Sequence, residues 1–132
     1  MTENIKMTQL AHPYDSSNIF TKILSGHIPA QKIYEDEHVL SFYDIAPKAK
    51  IHALVIPKGS YVSSRDFHEN ASDMELVGYY RGINKTLEAL DLDSNASYRL
   101  ISNCGEEGGQ VVFHYHTHIL AGEPLRAMYP DS

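Results

Sequence analysis

Gly109-Gln110-Val111-Val112-Phe113-His114-Tyr115-His116-Thr117-His118-Ile119-Leu120 is the stretch on which the reading of this chain turns. It carries a histidine at every second position from 114 to 118. Side chains of an extended strand alternate between faces, so this pattern sends three imidazoles to one side and Phe113, Tyr115 and Ile119 to the other. The spacing predicts a strand over Val111 to Leu120 with one face in the core and one forming a site. Crowded imidazoles disfavour one another's protonation, which keeps them neutral and nucleophilic near pH 7. Zinc is the competing reading, because imidazole is a common ligand. A straight strand, however, spreads the three over about 13 Å at roughly 3.3 Å per residue, while Zn–N bonds are about 2.0 Å. No metal and no cofactor is expected.

Immediately upstream, Asn103-Cys104-Gly105-Glu106-Glu107-Gly108-Gly109 forms a loop whose backbone N–H groups could approach an anion without hindrance from Cβ atoms. Glycines between two strands are otherwise ordinary turn formers, and it is the adjoining histidines that give the loop weight. Cys104 is the only cysteine, so no internal disulfide and no CxxC zinc knuckle is available, and a reducing cytoplasm is the expected compartment. No basic neighbour in sequence lowers its pKa, and it is read as a small filler.

Working outward, Ile51 to Ile56 is a nearly continuous apolar run closed by Pro57 and reads as a buried strand. Lys32 to Glu35 and Val39 to Asp44 form an expected hairpin ending at Pro47, and Ser97 to Ser102 is the remaining strand. Ile19, Phe20, Ile23 and Leu24 recur at helical spacing, with Ser16 or Ser17 as N-cap and Gly26 as the stop. A longer helix follows from Ser72 to Leu90, its apolar stripe running through Leu76, Tyr80, Ile83, Leu87 and Leu90. Gly78 and Gly82 interrupt that helix, and close packing, such as a dimer contact, is the expected compensation. The fold class is α+β: a five-stranded antiparallel sheet with two helices. Residues 1–17 read as a flexible arm and 18–132 as one domain.

Eleven basic and seventeen acidic side chains leave a net charge of −6, the wrong sign for holding long nucleic acid. No apolar run approaches the roughly 20 residues that span a bilayer, and the first residues lack the basic start and apolar core of a secretory signal.

The segment 109–120 resembles the signature of the histidine triad (HIT) family. The likeness extends from Ile19-Phe20-Thr21-Lys22-Ile23 through Phe42-Tyr43-Asp44-Ile45 and His52-Ala53-Leu54-Val55-Ile56-Pro57-Lys58 to Gly122-Glu123-Pro124-Leu125, and is nearest to the Hint branch. The resemblance implies a homodimer in which two sheets run into one. It also implies metal-independent hydrolysis of purine nucleoside phosphoramidates, such as adenosine 5'-phosphoramidate or lysyl-AMP, to the nucleoside monophosphate and an amine. His116 would be the nucleophile and form a nucleotidyl-histidine. His118 would contact phosphate and deliver the leaving-group proton, His114 would order the network, and His52 would join the proton relay. Asn103, Gly109 and Gln110 would bind phosphate with His116 and His118.

The nucleoside would lie between Ile19, Phe20, Ile23, Ile28, Phe42, Tyr43 and Ile45, with Asp44 accepting from the ribose hydroxyls. Seen alone, the apolar residues would be ordinary core and Asp44 a turn residue. Val111 departs from the serine often found at its position, and Thr117 from a usually apolar one. A dinucleoside polyphosphate hydrolase of the Fhit type, or a nucleotide-binding or protein-interaction module with incidental hydrolysis, are the alternatives.

Overall fold

The computed structural model describes residues 13–128. In chain order these form α1 (Ile19–Leu24), β1 (Lys32–Glu35), β2 (Val39–Tyr43), β3 (Ile51–Pro57), α2 (Ser64–Asn70), α3 (Asp73–Ala89), β4 (Tyr98–Ile101) and β5 (Thr117–Ala121). The five strands make one sheet in the order β1-β2-β3-β5-β4, and every neighbouring pair is antiparallel. The α+β class and the strand count agree with the sequence, but the described residues form three helices rather than two. None of the helices among the described residues is long and apolar enough to cross a membrane.

The sheet is covered on both faces, which accounts for the unbroken apolar runs of β2 and β3. Val39, Ala53, Val55 and Ile119 face α2 and α3, packing with Phe67, Tyr79, Ile83, Leu87 and Tyr115. Leu40, Phe42, Leu54 and Ile56 face the other way and pack against Phe20 and Ile23 of α1. A strand that must bury both faces cannot alternate apolar with polar.

Helix α3 starts at a capping box, with the Ser72 hydroxyl accepting from the Glu75 N–H and the Glu75 carboxylate accepting from the Ser72 N–H. Its core contact is Tyr79, fully buried with its hydroxyl donating to the Val55 carbonyl at 2.9 Å, whereas Tyr80 of the expected stripe is half exposed. Both positions fit a helical period, and Tyr79 is set apart by its bond to β3 and by its ring contacts with Phe67 and Tyr115. Gly78 and Gly82 have an explanation within the chain. A Cβ on Gly82 would lie 2.5 Å from Val39 Cγ2, and one on Gly78 would lie 2.3 Å from the His38 ring. The two glycines let α3 sit close to β2, so they carry no argument for a dimer.

Helix α2 escapes a search for periodicity because Phe67 is its only large apolar residue. The signal it does offer is a cap, with Ser63 accepting from the N–H of Asp66 three residues on. The N-cap of α1 is Asn18 rather than Ser16 or Ser17, while Gly26 does end the segment, with φ +81°. Strand β5 starts only at Thr117, not at Val111. The preceding residues leave the sheet and are held by a bond from the Tyr115 N–H to the Tyr61 carbonyl at 2.7 Å. Phe113 is consequently only half buried and outside the core that Tyr115 and Ile119 join.

Candidate active site

The three histidines come from two kinds of backbone. His118 projects from β5, beside Leu54 of β3, while His114 and His116 stand on the irregular stretch just before that strand. His114 is fully buried. Its Nε2 is 2.9 Å from the Pro57 carbonyl, an acceptor only, so Nε2 carries the proton and Nδ1 the lone pair. The His114 carbonyl in turn lies 2.8 Å from His116 Nδ1. That nitrogen must donate, which leaves the lone pair of His116 on Nε2. The rings of His116 and His118 stand 5.1 Å apart, and Phe20 meets His116 edge-on at 5.0 Å.

A second chain of bonds sets His118. The Lys48 N–H donates to His52 Nδ1 at 3.0 Å, so neutral His52 carries its proton on Nε2. His52 Nε2 lies 2.9 Å from His118 Nδ1, which therefore accepts and leaves the His118 proton on Nε2. The two adjacent rings thus present opposite functions, a lone pair on His116 and a donor on His118. Burial holds all four imidazoles below the usual histidine range, to about 4 for His114 and His118. At His118 the neighbouring His116 and His52 push in the same direction, whereas at His116 the bond to the His114 carbonyl and the charge of Asp44 oppose burial. Near neutral pH the cluster is uncharged.

Asp44 Oδ2 lies 3.5 Å from His52 Nε2, and Asp44, His52 and His118 bring one possible ligand atom each within 4.8 Å of one another. Among the described residues this is the one group so arranged. It is a poor fit for a cation as it stands. The His52 lone pair is taken by the Lys48 N–H, and the Nε2 proton points into the cluster rather than a free electron pair. The geometry is that of a hydrogen-bonded relay.

The residues that the resemblance assigns to a nucleoside lie together in the fold. Ile19, Phe20, Ile23, Ile28, Phe42, Tyr43, Asp44 and Ile45 all line one cavity of about 290 Å³, joined by Pro29, Ala30, Leu54 and Val112. Leu54 was legible in the sequence, because it lies two residues from His52 on the same face of β3. A second cavity, on the other side of Asp44, is lined by His118, His52, Asn103, Lys48, Val111 and Leu120 among others.

Gln110 and Gly109 are engaged elsewhere. The Gln110 amide donates to the carbonyls of Val62 (2.7 Å) and Val112 (3.1 Å) and accepts from the Gly105 N–H at 2.9 Å. The Gly109 N–H donates to the Glu106 carbonyl at 3.0 Å, and Gly109 itself has φ +91°, which strains any side chain. Both residues shape the loop rather than offer a donor to phosphate. Cys104 does have a basic neighbour in space. Burial pushes its thiol up, but the Arg65 N–H and the hydroxyls of Ser63 and Ser64 outweigh that and hold it below its ordinary range.

A HIT domain model matches residues 25–125 of the chain. The protein belongs to the HIT family. A HIT-like protein of Azospirillum brasilense is 43% identical over 119 residues, covering 90% of this chain and 97% of that protein. Among solved structures, a HIT family hydrolase from Clostridium thermocellum superimposes with a TM-score of 0.76 at 36% identity, over 86% of this chain and 96% of that one. A histidine triad nucleotide-binding protein from Candida albicans does so with a TM-score of 0.69 at 31% identity, over 86% and 87%. The Tyr14 hydroxyl lies 2.7 Å from His114 Nδ1 in this HIT protein, a contact that the sequence did not suggest.

Proposed function

We propose that this HIT protein is a purine nucleoside phosphoramidase. The observation that carries the reading is the pair of fixed tautomers beside an apolar cavity: a lone pair on His116 Nε2 and a proton on His118 Nε2. The base and ribose occupy the 290 Å³ cavity, with the α-phosphate between the two rings. His116 Nε2 attacks phosphorus and the P–N bond breaks as the departing nitrogen takes the proton that the acid form of the substrate carries in, while His118 Nε2–H donates a hydrogen bond to a phosphate oxygen. Water then attacks the nucleotidyl-His116. The proton of that water passes to the phosphate and on to solvent, the His116–phosphorus bond breaks, and nucleoside monophosphate leaves with both rings as they began. The leaving amine departs through the second cavity, past Asn103 and Lys48. Burial supports this chemistry, because an imidazole that resists protonation remains a nucleophile.

The test is turnover of an adenosine phosphoramidate by wild type and His116→Ala. The variant is expected to lose activity by orders of magnitude while AMP still binds, and rapid quench of wild type with labelled substrate should trap a nucleotidyl-protein. Near-full activity in the variant would remove His116 from the mechanism.

The same reading includes a homodimer in a reducing cytoplasm. What supports the dimer is the sheet edge. Among the described residues β4 pairs only with β5, and Tyr98 and Leu100 on it are more than 40% exposed, as are Met74, Val77 and Tyr80 on the outer face of α3. Sedimentation at micromolar concentration should give about twice the 14.9 kDa chain mass, and the mass of a single chain would overturn it.

A further inference from the structure

The segment just before α1 reaches the triad. Because His114 Nε2 donates to the Pro57 carbonyl, its Nδ1 must accept, and the Tyr14 hydroxyl at 2.7 Å is the donor it meets. The Tyr14 oxygen is in turn hydrogen-bonded to Thr21 Oγ1. Thr21 Oγ1 accepts from Asn18 Nδ2 at 3.0 Å, so its own proton is free to go to Tyr14. Asn18 is also the N-cap of α1, its Oδ1 accepting from the Thr21 N–H at 3.0 Å, and its Nδ2 donates to the Asp15 carbonyl at 2.8 Å. Every donor and acceptor in this series has one consistent direction, running from Asn18 through Thr21 and Tyr14 to His114 and Pro57. The ring of Tyr14 also stands edge-on to that of His114, with centroids 5.6 Å apart.

The last link is the carbonyl of His114, which holds Nδ1 of His116. Helix α1 is at the same time the wall of the nucleoside cavity, through Ile19, Phe20 and Ile23. We infer that Tyr14 is a positioning residue: its hydroxyl locks His114 in one tautomer and one orientation, and so aims His116 Nε2 while tying the nucleoside wall to the nucleophile. This rests on the reading of His116 as the nucleophile. Tyr14 touches no reacting atom, and among the described residues it is the side chain that bonds to His114 Nδ1.

The consequence for protonation has a definite sign. His114 is faced by Tyr14, by His116 on its own segment, by Pro57 of β3 and by Phe20 of α1, of which only Tyr14 and His116 titrate. A donor at Nδ1 stabilises the neutral ring, so removing it makes protonation easier and raises the His114 pKa from its position near 4. A protonated His114 would add positive charge beside His116.

The experiment compares wild type, Tyr14→Phe and Thr21→Val as full-length proteins, using adenosine phosphoramidate turnover, AMP binding and ¹⁵N NMR of the histidine side chains. Tyr14→Phe is expected to lower kcat roughly tenfold or more with AMP affinity little changed. Its acid limb should move to higher pH, and the His114 resonance should titrate at higher pH than in wild type. Thr21→Val, which removes the next link but leaves Tyr14, should shift both in the same direction by less. Wild-type kcat and an unmoved His114 titration in Tyr14→Phe would overturn the assignment. So would a loss of activity that tracks only the unfolded fraction, with the pH profile unchanged. If wild type itself turns over no phosphoramidate, the proposed function fails, whereas the His114 titration and AMP binding still decide the role of Tyr14.

Discussion

Asp44 has two tasks that share one carboxylate. Oδ1 accepts from the Ala46 N–H at 2.8 Å, which makes the turn into Pro47, while Oδ2 faces His52 and both cavities. The turn reading of this residue holds, and its second oxygen is turned toward the cavities, which supports the proposed contact with the ribose. A carboxylate oxygen has a second lone pair, so the turn bond leaves room for a ribose hydroxyl. Hydrogen bonds to a charged group are worth about 1.5–3 kcal/mol, so Asp44→Ala should lower kcat/KM on a ribonucleotide substrate by roughly tenfold or more. The 2'-deoxy substrate should suffer less, and the ribo-to-deoxy preference should shrink. A folded variant with the wild-type ratio would show that Asp44 does not read the sugar. Gln110 illustrates the opposite outcome. Its type and place suggested a phosphate ligand, yet three bonds to backbone groups turn it into the tie that holds the loop, and only tertiary neighbours such as Val62 could reveal this.

Helix α3 is shaped by what it packs against as much as by its own period. Replacing Gly82 by alanine gains about 1 kcal/mol of helix propensity but forces a methyl into Val39, which is fully buried and cannot move aside. Overpacking typically costs about 1–3 kcal/mol, so urea denaturation should show Gly82→Ala to be destabilised. Gly78→Ala should lose less, because the His38 side chain it meets is 23% exposed and has room to swing outward. Equal losses, or a gain at Gly82, would contradict the account of both glycines. Strand β5 teaches a related lesson. Alternation from Phe113 to His118 suggests one long strand over Val111 to Leu120, but pairing with β3 begins only at Thr117, opposite Val55, and pairing with β4 only at His118, opposite Ile101. Periodicity marks faces and does not mark where hydrogen-bonded partners end.

Across the whole molecule the buried histidines couple stability to pH. Free histidine titrates near 6.5, and in the fold His114 and His118 titrate at about 4, so the unfolded chain binds more protons between those values. Their contribution is complete above about pH 6.5 and is lost as pH falls toward 4. The limiting slope is about 1.4 kcal/mol per pH unit for each histidine that remains neutral only in the fold. Thermal or urea unfolding across that window should show a steep decline for wild type and a shallower one for His118→Gln. An identical slope in the variant would show that His118 is not held neutral by the fold.

From the sequence alone, the α+β class, the five strands and the three alternating histidines could be named, and the family resemblance added His52 and the apolar residues that line the 290 Å³ cavity. These are matters of local pattern, because strand alternation and helical period dictate which face a side chain joins. The tertiary structure decided which nitrogen of each imidazole carries its proton, that His114 is buried while His118 lines a cavity, and that Tyr14 completes the triad. The physical reason is that a tautomer is set by its hydrogen-bond partner, and the partners here are far apart in the chain: Pro57 and Tyr14 for His114, Lys48 by way of His52 for His118. Local periodicity encodes direction, and only the closed fold supplies the atom at the end of it.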